Sequence, residues 1–216
     1  MFIGHYGVSF FAKTVRRDIP LWVLFVAVQL IDVFWAMFVM LGIEKMRIVP
    51  GITATNPLDL YYMPYTHSLV AVFLWSAAGF AVYRLFSRSR FASRAALLVA
   101  LAVLSHWFFD LIVHRPDLPL YDDAVKVGLG FWNYPVLAFL LEAGLLFGGI
   151  FAYANSADPF YARKRTRMLT FGAVMAVGQL AIFFGPPPPS STALGITGLT
   201  VYIAYAAASR WLEGPV

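Results

Sequence analysis

Of the 216 residues in the chain, 61% are hydrophobic and only 12% are charged, about half the roughly 25% charge that a soluble domain needs for its solvated surface. The absence of cysteine excludes disulfides, thiolate metal sites and cysteine nucleophiles. The net charge of +5 does not indicate a nucleic-acid partner, because Lys and Arg stand in short clusters between apolar blocks, as membrane topology requires.

Six apolar blocks of about 20 residues, each long enough to cross a bilayer as a helix, follow one another along the chain. They run from Pro20 to Leu41, Thr66 to Leu85, Ala95 to Val113, Trp132 to Tyr153, Met168 to Gly185 and Thr192 to Ser209. The proline run 186–189 cannot continue a helix and therefore connects the last two blocks. The pattern predicts an all-α, polytopic membrane helix bundle, surrounded by membrane lipids, that forms a single domain over residues 1–216.

Lys and Arg are concentrated in alternate connections between these blocks. The basic residues on one side are Lys13, Arg16, Arg17, Arg84, Arg88, Arg90, Arg94, Arg163, Lys164, Arg165 and Arg167, whereas the connections on the other side are mixed or acidic. Cytoplasmic loops carry an excess of Lys and Arg, so both termini are predicted to lie in the cytoplasm.

The segment from Phe2 to Ala12 is apolar but too short to cross a membrane. It either lies on the inner surface as an interfacial helix or re-enters the bundle from that side. Re-entry would carry His5 about 12 Å above Lys13, within reach of polar residues in the spans.

Ionisable side chains inside membrane spans cost several kcal/mol and usually mark a pathway or a site. The chain places a set of them in or beside its apolar segments: His5, His67, His106, His114, Asp32, Asp110 and Glu142. Since His106, Asp110 and His114 are spaced four residues apart, they form one polar stripe on a helix. Imidazole and carboxylate at this spacing can bind one divalent cation, typically zinc. The alternative is a packing stripe that hydrogen-bonds across helices, but three such residues on one face favour the metal.

Helix rise indicates the depth of each group. At about 1.5 Å per residue, Asp32, His106, Asp110 and Glu142 fall within one layer of the membrane. His67 and His114 fall nearer the outer face. The predicted site is therefore a column that opens outward rather than one compact cluster.

Four short motifs follow one another in the N-terminal half: Gly4-His5, Asp32 in the first long span, Thr66-His67-Ser68, and Ser105-His106-x-x-x-Asp110. Their order resembles the YdjM-like family of bacterial inner-membrane proteins, which are described as membrane-bound, metal-dependent hydrolases. The resemblance covers roughly Gly4 to His114. It implies a location in a bacterial inner membrane and a metal site formed by His5, Asp32, His67, His106 and Asp110. His114 is added to this set from its spacing alone.

These features predict a membrane-embedded, metal-dependent hydrolase, whose metal would activate a water molecule and polarise the scissile carbonyl or phosphoryl group. Glu142, or an aspartate that is not a ligand, such as Asp32, would act as the general base. A site within the bilayer favours a lipid or lipid-linked substrate over a soluble metabolite. The half 1–114 would carry the site, and the half 115–216 would complete the bundle.

The alternative is a non-catalytic membrane protein: a proton or cation transporter, or an accessory subunit of an oligomer or larger membrane complex. Polar residues within six membrane spans are also typical of an ion pathway. Against a secondary transporter, the sequence shows neither inverted halves nor paired spans broken by Gly or Pro. In an accessory subunit, the same side chains would only hydrogen-bond between helices.

Overall fold

The computed structural model describes residues 1–87, 90–156 and 164–213 and consists mainly of helices. In chain order these are α1 (Ile3–Val15), α2 (Leu21–Val28), α3 (Leu30–Met40), α4 (Leu69–Phe86), α5 (Ala92–Val113), α6 (Pro135–Ala154), α7 (Arg165–Phe184) and α8 (Ser191–Glu213). The helices from α4 to α8 are each long and apolar enough to cross a membrane, and α2 with α3 forms a sixth span if this bent pair counts as one. The predicted all-α membrane bundle is therefore confirmed. Arg88 and Arg163, used above to predict the orientation, lie outside the described residues.

Two β-hairpins, which the sequence did not predict, lie at the same end of the bundle. β1 (Lys45–Ile48) pairs with β2 (Leu58–Tyr62), and β3 (Leu118–Tyr121) pairs with β4 (Ala124–Val127), each in antiparallel orientation. Lys126 of β4 donates a hydrogen bond to the Tyr61 carbonyl of β2 at 2.6 Å, which joins the two hairpins. We call this end the hairpin face, and the opposite end, where Lys13 and Arg165 lie, the basic face.

The first predicted span is broken at Gln29. There α2 and α3 meet at an angle of 51°, and Gln29 itself has non-helical dihedral angles, with φ −106° and ψ 4°. The Val28 carbonyl leaves the helical hydrogen-bond ladder and instead accepts a hydrogen bond from His106 on α5 at 2.7 Å. Helices bend sharply where a side chain inserts into their ladder in this way. The break therefore couples the shape of the first span to the site on α5.

α1 lies inside the bundle and not on its surface. The side chains of Ile3 and His5 are fully buried, and the helix packs along α6. The two backbones are in close contact: a Cβ atom on Gly7 would overlap the Leu145 carbonyl, and one on Gly149 would overlap Gly7. Only glycine allows this approach at both positions. Of the two placements that the sequence left open, re-entry is the one observed, and it carries His5 into the bundle.

Candidate metal centre

Four histidines and two aspartates lie together near the hairpin face, and we call them the histidine cluster: His5, His67, His106, His114, Asp32 and Asp110. His5 lies on α1, Asp32 on α3, and His106 and Asp110 on α5. His67 lies just before α4, and His114 directly follows α5. Asp32 is partly buried and the other five are buried. The structure replaces the predicted column with one compact cluster, because His67 and His114 both reach Asp110, as His106 does.

Asp110 lies at the centre of the histidine cluster. Its Oδ2 atom lies 3.1 Å from Nε2 of His106, 3.6 Å from Nε2 of His114 and 3.7 Å from Nε2 of His67. Asp32 approaches from α3, with Oδ1 3.4 Å from Nε2 of His67 and 3.5 Å from Nε2 of His106. Three imidazoles therefore direct the same ring nitrogen toward two carboxylates.

The opposite ring nitrogen fixes the tautomer of each of these imidazoles. Nδ1 of His106 lies 2.7 Å from the Val28 carbonyl oxygen. A carbonyl can only accept a hydrogen bond, so Nδ1 carries the hydrogen and Nε2 of the neutral ring carries a lone pair. Histidines that bind metals in proteins commonly donate their other N–H to a backbone carbonyl or a carboxylate in this manner.

His67 is held by a chain of two hydrogen bonds. The Thr66 hydroxyl donates to Glu44 Oε2 at 2.6 Å and is therefore left to accept from Nδ1 of His67 at 2.8 Å. Glu44 also accepts the backbone N–H groups of Tyr65 and Thr66, at 2.8 and 2.9 Å. Burial raises the pKa of the Glu44 carboxyl, whereas these donors favour its ionised form. Nε2 of His67 thus also carries a lone pair.

His114 is held by a carboxylate. Its Nδ1 lies 2.8 Å from Oδ1 of Asp117, and Asp117 in turn accepts a hydrogen bond from Arg115 at 3.2 Å. Arg115 pairs with Asp59 of β2, so the hairpin face helps to orient this imidazole. The ring of Trp132 lies against that of His114, with 4.2 Å between the centroids.

The donor set and its spacing fit a divalent metal. Nε2 of His106 is buried and makes no hydrogen bond, and lone pairs that face carboxylate oxygens repel one another unless a cation lies among them. Nitrogen and oxygen ligands of a tetrahedral metal, at about 2.0–2.2 Å, stand roughly 3.3–3.6 Å apart. The nitrogen-to-oxygen distances in the cluster are 3.1–3.7 Å. Imidazole with carboxylate is a typical ligand set for zinc.

His5 contacts the other oxygen of the central carboxylate. Its Nε2 lies 3.1 Å from Oδ1 of Asp110, and its ring stacks on His106 with 3.9 Å between the centroids. The Met1 amine also lies against this Oδ1 atom, at 2.5 Å. α1 thus places His5 beside Asp110 and His106, and its part as a ligand stays a prediction.

Glu142, predicted as a general base, anchors the first turn of α1. Its Oε2 accepts the backbone N–H groups of Phe2 at 2.8 Å and Gly4 at 3.3 Å, while Oε1 accepts a hydrogen bond from Gln179 at 3.2 Å. A carboxylate at a helix N-terminus is favoured by the helix dipole. This contact explains how Glu142 can be fully buried, and its role as a base stays a prediction.

A cavity of about 670 Å³ lies beside the histidine cluster. Its lining includes Asp32, His67, Asp110, His114 and Glu142. Most of its remaining wall comes from the loop 50–58 and from apolar residues of α7 and α8. Its volume is within the range of small-molecule sites in proteins, about 300–1,000 Å³.

Four partners of the site residues were missed in the sequence. Asp117 stands three residues after His114, a spacing that could have indicated the contact, and Thr66 stands beside His67. Tyr202, which donates from α8 to Oδ2 of Asp32 at 3.3 Å, has no local signal. The Val28 carbonyl becomes available only because the first span breaks there.

No protein-family model, curated protein or solved structure matches the chain. Its function is therefore inferred from the ligand set, the geometry of the cluster and the cavity beside it.

Proposed function

We propose that this membrane protein is a metal-dependent hydrolase of a bacterial inner membrane, with both termini in the cytoplasm. The metal, zinc by the character of its ligands, is held by His67, His106, His114, Asp32 and Asp110. One observation carries the proposal: three imidazoles, each with Nδ1–H fixed by an acceptor, direct Nε2 at two carboxylates. The resemblance to the YdjM-like family supports the same assignment.

The metal, when bound, supplies Lewis-acid activation of water and of the scissile group. The chain's own residues orient the reaction and move the proton. Oδ1 of Asp32 faces the imidazoles, while Oδ2 accepts a hydrogen bond from the Tyr202 hydroxyl at 3.3 Å, and both residues line the cavity. Oδ2 is therefore placed to accept a proton from a water molecule in the cavity, as a general base does.

The surroundings of the cluster favour a site open to one face over a pathway through the membrane. On the side toward the basic face, aromatic rings fill the bundle around Tyr6, Phe10, Phe25 and Tyr153. Their centroids are 4.7 Å apart for Tyr6 and Phe25, and 5.9 Å apart for Phe10 and Tyr153. A transported ion would need carboxylates or imidazoles along this path, whereas the described residues that pack here offer hydroxyl groups, on Ser9, Tyr6 and Tyr153. The packing therefore supports an enzyme over the transporter alternative.

The depth of the cluster supports a lipid or lipid-linked substrate. Asp110 lies three residues before the end of α5, and Asp32 lies eight residues before the end of α3. At about 1.5 Å per residue, the two carboxylates lie roughly 5–12 Å beneath the helix ends at the hairpin face. The hydrocarbon core is about 30 Å thick, so each leaflet contributes about half of it. In the leaflet at the hairpin face, the head-group end of a lipid therefore lies close to the depth of the two carboxylates.

Metal analysis of the purified protein, combined with a hydrolysis assay, tests this function. We expect about one zinc per chain, lost in His106→Ala and retained in Ser105→Ala, the matched control one residue away. We also expect zinc-dependent release of fatty acid or phosphate from a total bacterial lipid extract, abolished by chelation. Protein that binds no metal after growth and refolding in zinc would refute the proposal.

A further inference from the structure

The last two helices separate from each other toward the hairpin face. α7 packs against α6, whereas α8 packs against α2 and α3. Pro186–Pro189, which cannot be helical, connects them. The gap between the two helices is part of the cavity beside the histidine cluster, and its walls are Gly178, Ala181 and Ile182 on α7 and Thr197, Gly198 and Val201 on α8. We call this gap the α7–α8 slot.

The slot opens sideways, out of the bundle. Ala181, Ile182 and Thr197 line the cavity and are exposed. Their neighbours Leu180 and Ile196 are exposed without lining it, so this edge of the slot lies at the outer surface of the protein. Because α7 and α8 cross the membrane, that surface faces lipid hydrocarbon at this depth. The cavity therefore connects the histidine cluster with the bilayer interior.

The loop 50–58 supplies a polar part of the same cavity. Thr53, Thr55 and Asn56 of this loop belong to the lining. Thr55 fixes this loop, since both its backbone N–H and its hydroxyl donate to the Trp132 carbonyl, at 3.1 and 3.0 Å. A polar compartment, the carboxylates and imidazoles, and an apolar slot are thus continuous in one cavity.

We infer that the α7–α8 slot binds an acyl chain of a glycerophospholipid from the leaflet at the hairpin face. The polar head group then lies under the loop 50–58, and the bonds next to the head group lie at the histidine cluster. Hydrolysis of the bound lipid rests on the proposed function, whereas binding of the acyl chain depends only on the slot. An acyl chain fits because the slot is apolar, elongated along two helices and open to the bilayer.

Photo-crosslinking tests the slot directly. The protein is placed in vesicles of phosphatidylethanolamine and phosphatidylglycerol that contain a phosphatidylethanolamine with a diazirine midway along one acyl chain. Mass spectrometry then maps the adducts. We expect adducts on the wall residues Ile182, Thr197 and Val201, and adducts on Ile203, which is 70% exposed and absent from the cavity lining, serve as the reference for bulk lipid.

Matched glycine substitutions give the decisive comparison. Gly198→Leu fills the slot without a clash at its Cβ atom, since the nearest atoms, from the Tyr202 side chain, lie 3.6–3.8 Å away. Gly144→Leu adds the same side chain on α6, where a Cβ atom meets nothing within 4 Å. We expect wall adducts, relative to those on Ile203, to fall at least fivefold in Gly198→Leu and to stay unchanged in Gly144→Leu. If Gly198→Leu does not fold, Thr197→Phe at an exposed wall position replaces it.

The result separates the slot from the hydrolase. Wall adducts that are absent from the wild type, or equally frequent in Gly198→Leu, overturn the slot even if the protein binds zinc. Wall adducts in a protein that binds no zinc support the slot and contradict the hydrolase. The His106→Ala variant should therefore keep its wall adducts.

Discussion

Two buried groups of charged residues occupy opposite ends of the bundle, and they differ in how their hydrogen bonds are completed. At the basic face, Lys13 donates to the carbonyls of Arg17 at 2.7 Å and Ile19 at 2.6 Å and pairs with Glu213. Glu213 also accepts the backbone N–H of Leu21 at 2.8 Å. All three ammonium hydrogens thus have acceptors, and we call this group the lysine cluster. In the histidine cluster, the Met1 amine donates to Asp110, but Nε2 of each neutral imidazole of His67, His106 and His114 presents a lone pair to carboxylates that can only accept.

This difference indicates which cluster is structural and which is functional. The lysine cluster completes its own hydrogen bonds and joins the end of α1 and the start of α2 to the end of α8. The Nδ1–H groups of His67, His106 and His114 already donate to acceptors outside the histidine cluster. Their Nε2 lone pairs therefore remain available to bind a cation. Burial and charge alone do not distinguish the two clusters, whereas the direction of each hydrogen bond does.

The largest expected change in stability comes from the lysine cluster. Lys13→Met leaves the buried Glu213 carboxylate unpaired and should lower the free energy of unfolding by about 3–5 kcal/mol, with zinc content unchanged. Reversible unfolding in mixed micelles measures the loss. The double variant Lys13→Met with Glu213→Gln should recover part of it, because no unpaired charge remains. A loss of zinc without a loss of stability would contradict the structural role.

Asp110→Asn should have the largest effect on the metal. It removes the carboxylate shared by three imidazoles, so zinc affinity should fall by ~100-fold or more, which exceeds the loss expected when a residue only orients a ligand. Asp110 also pairs with the buried Met1 amine, so the metal-free protein should lose stability as well, but less than in Lys13→Met, because the asparagine oxygen still accepts from the amine. Isothermal titration with zinc measures the affinity, and Asp123→Asn, at the turn between β3 and β4, is the control. Unchanged zinc binding in Asp110→Asn would exclude the assigned ligands.

A smaller effect is expected where a residue only orients a ligand. Thr66→Val breaks the hydrogen bonds from Glu44 to His67, so zinc affinity should fall by about 10- to 100-fold. Thr66→Ser keeps the hydroxyl and should retain the wild-type affinity. Equal zinc binding by the valine and serine variants would show that the tautomer of His67 is set by another group.

The smallest effect is expected at the surface of the hairpin face. The side chain of Arg47 is 65% exposed and pairs with Asp59 at 2.6 Å, and exposed ion pairs contribute roughly 0–1 kcal/mol. Arg47→Ala should therefore change neither zinc affinity nor stability measurably, since Arg115 still holds Asp59. A clear loss of zinc would mean that the hairpin face orients His114 more strongly than its exposure indicates.

Composition and local spacing in the sequence determined the membrane spans and one part of the site. Blocks of apolar residues predict helices that cross the bilayer, because the backbone must complete its hydrogen bonds within each segment there. The same helical geometry predicts that His106, Asp110 and His114 share a face, since residues four apart lie above one another. These predictions succeed because they depend only on neighbours within one helix.

The tertiary structure alone decided which groups meet. Nothing local predicts the break at Gln29, since neither Pro nor Gly stands there, yet it frees the Val28 carbonyl for His106. The insertion of α1 depends on the match between Gly7 and Gly149, which are far apart in the sequence. Such contacts result from the packing of helix surfaces against one another, and the helical repeat within each segment does not specify its neighbour. The convergence of His5 and His67 on Asp110, and of Asp32 on His67 and His106, is for that reason a property of the packed bundle.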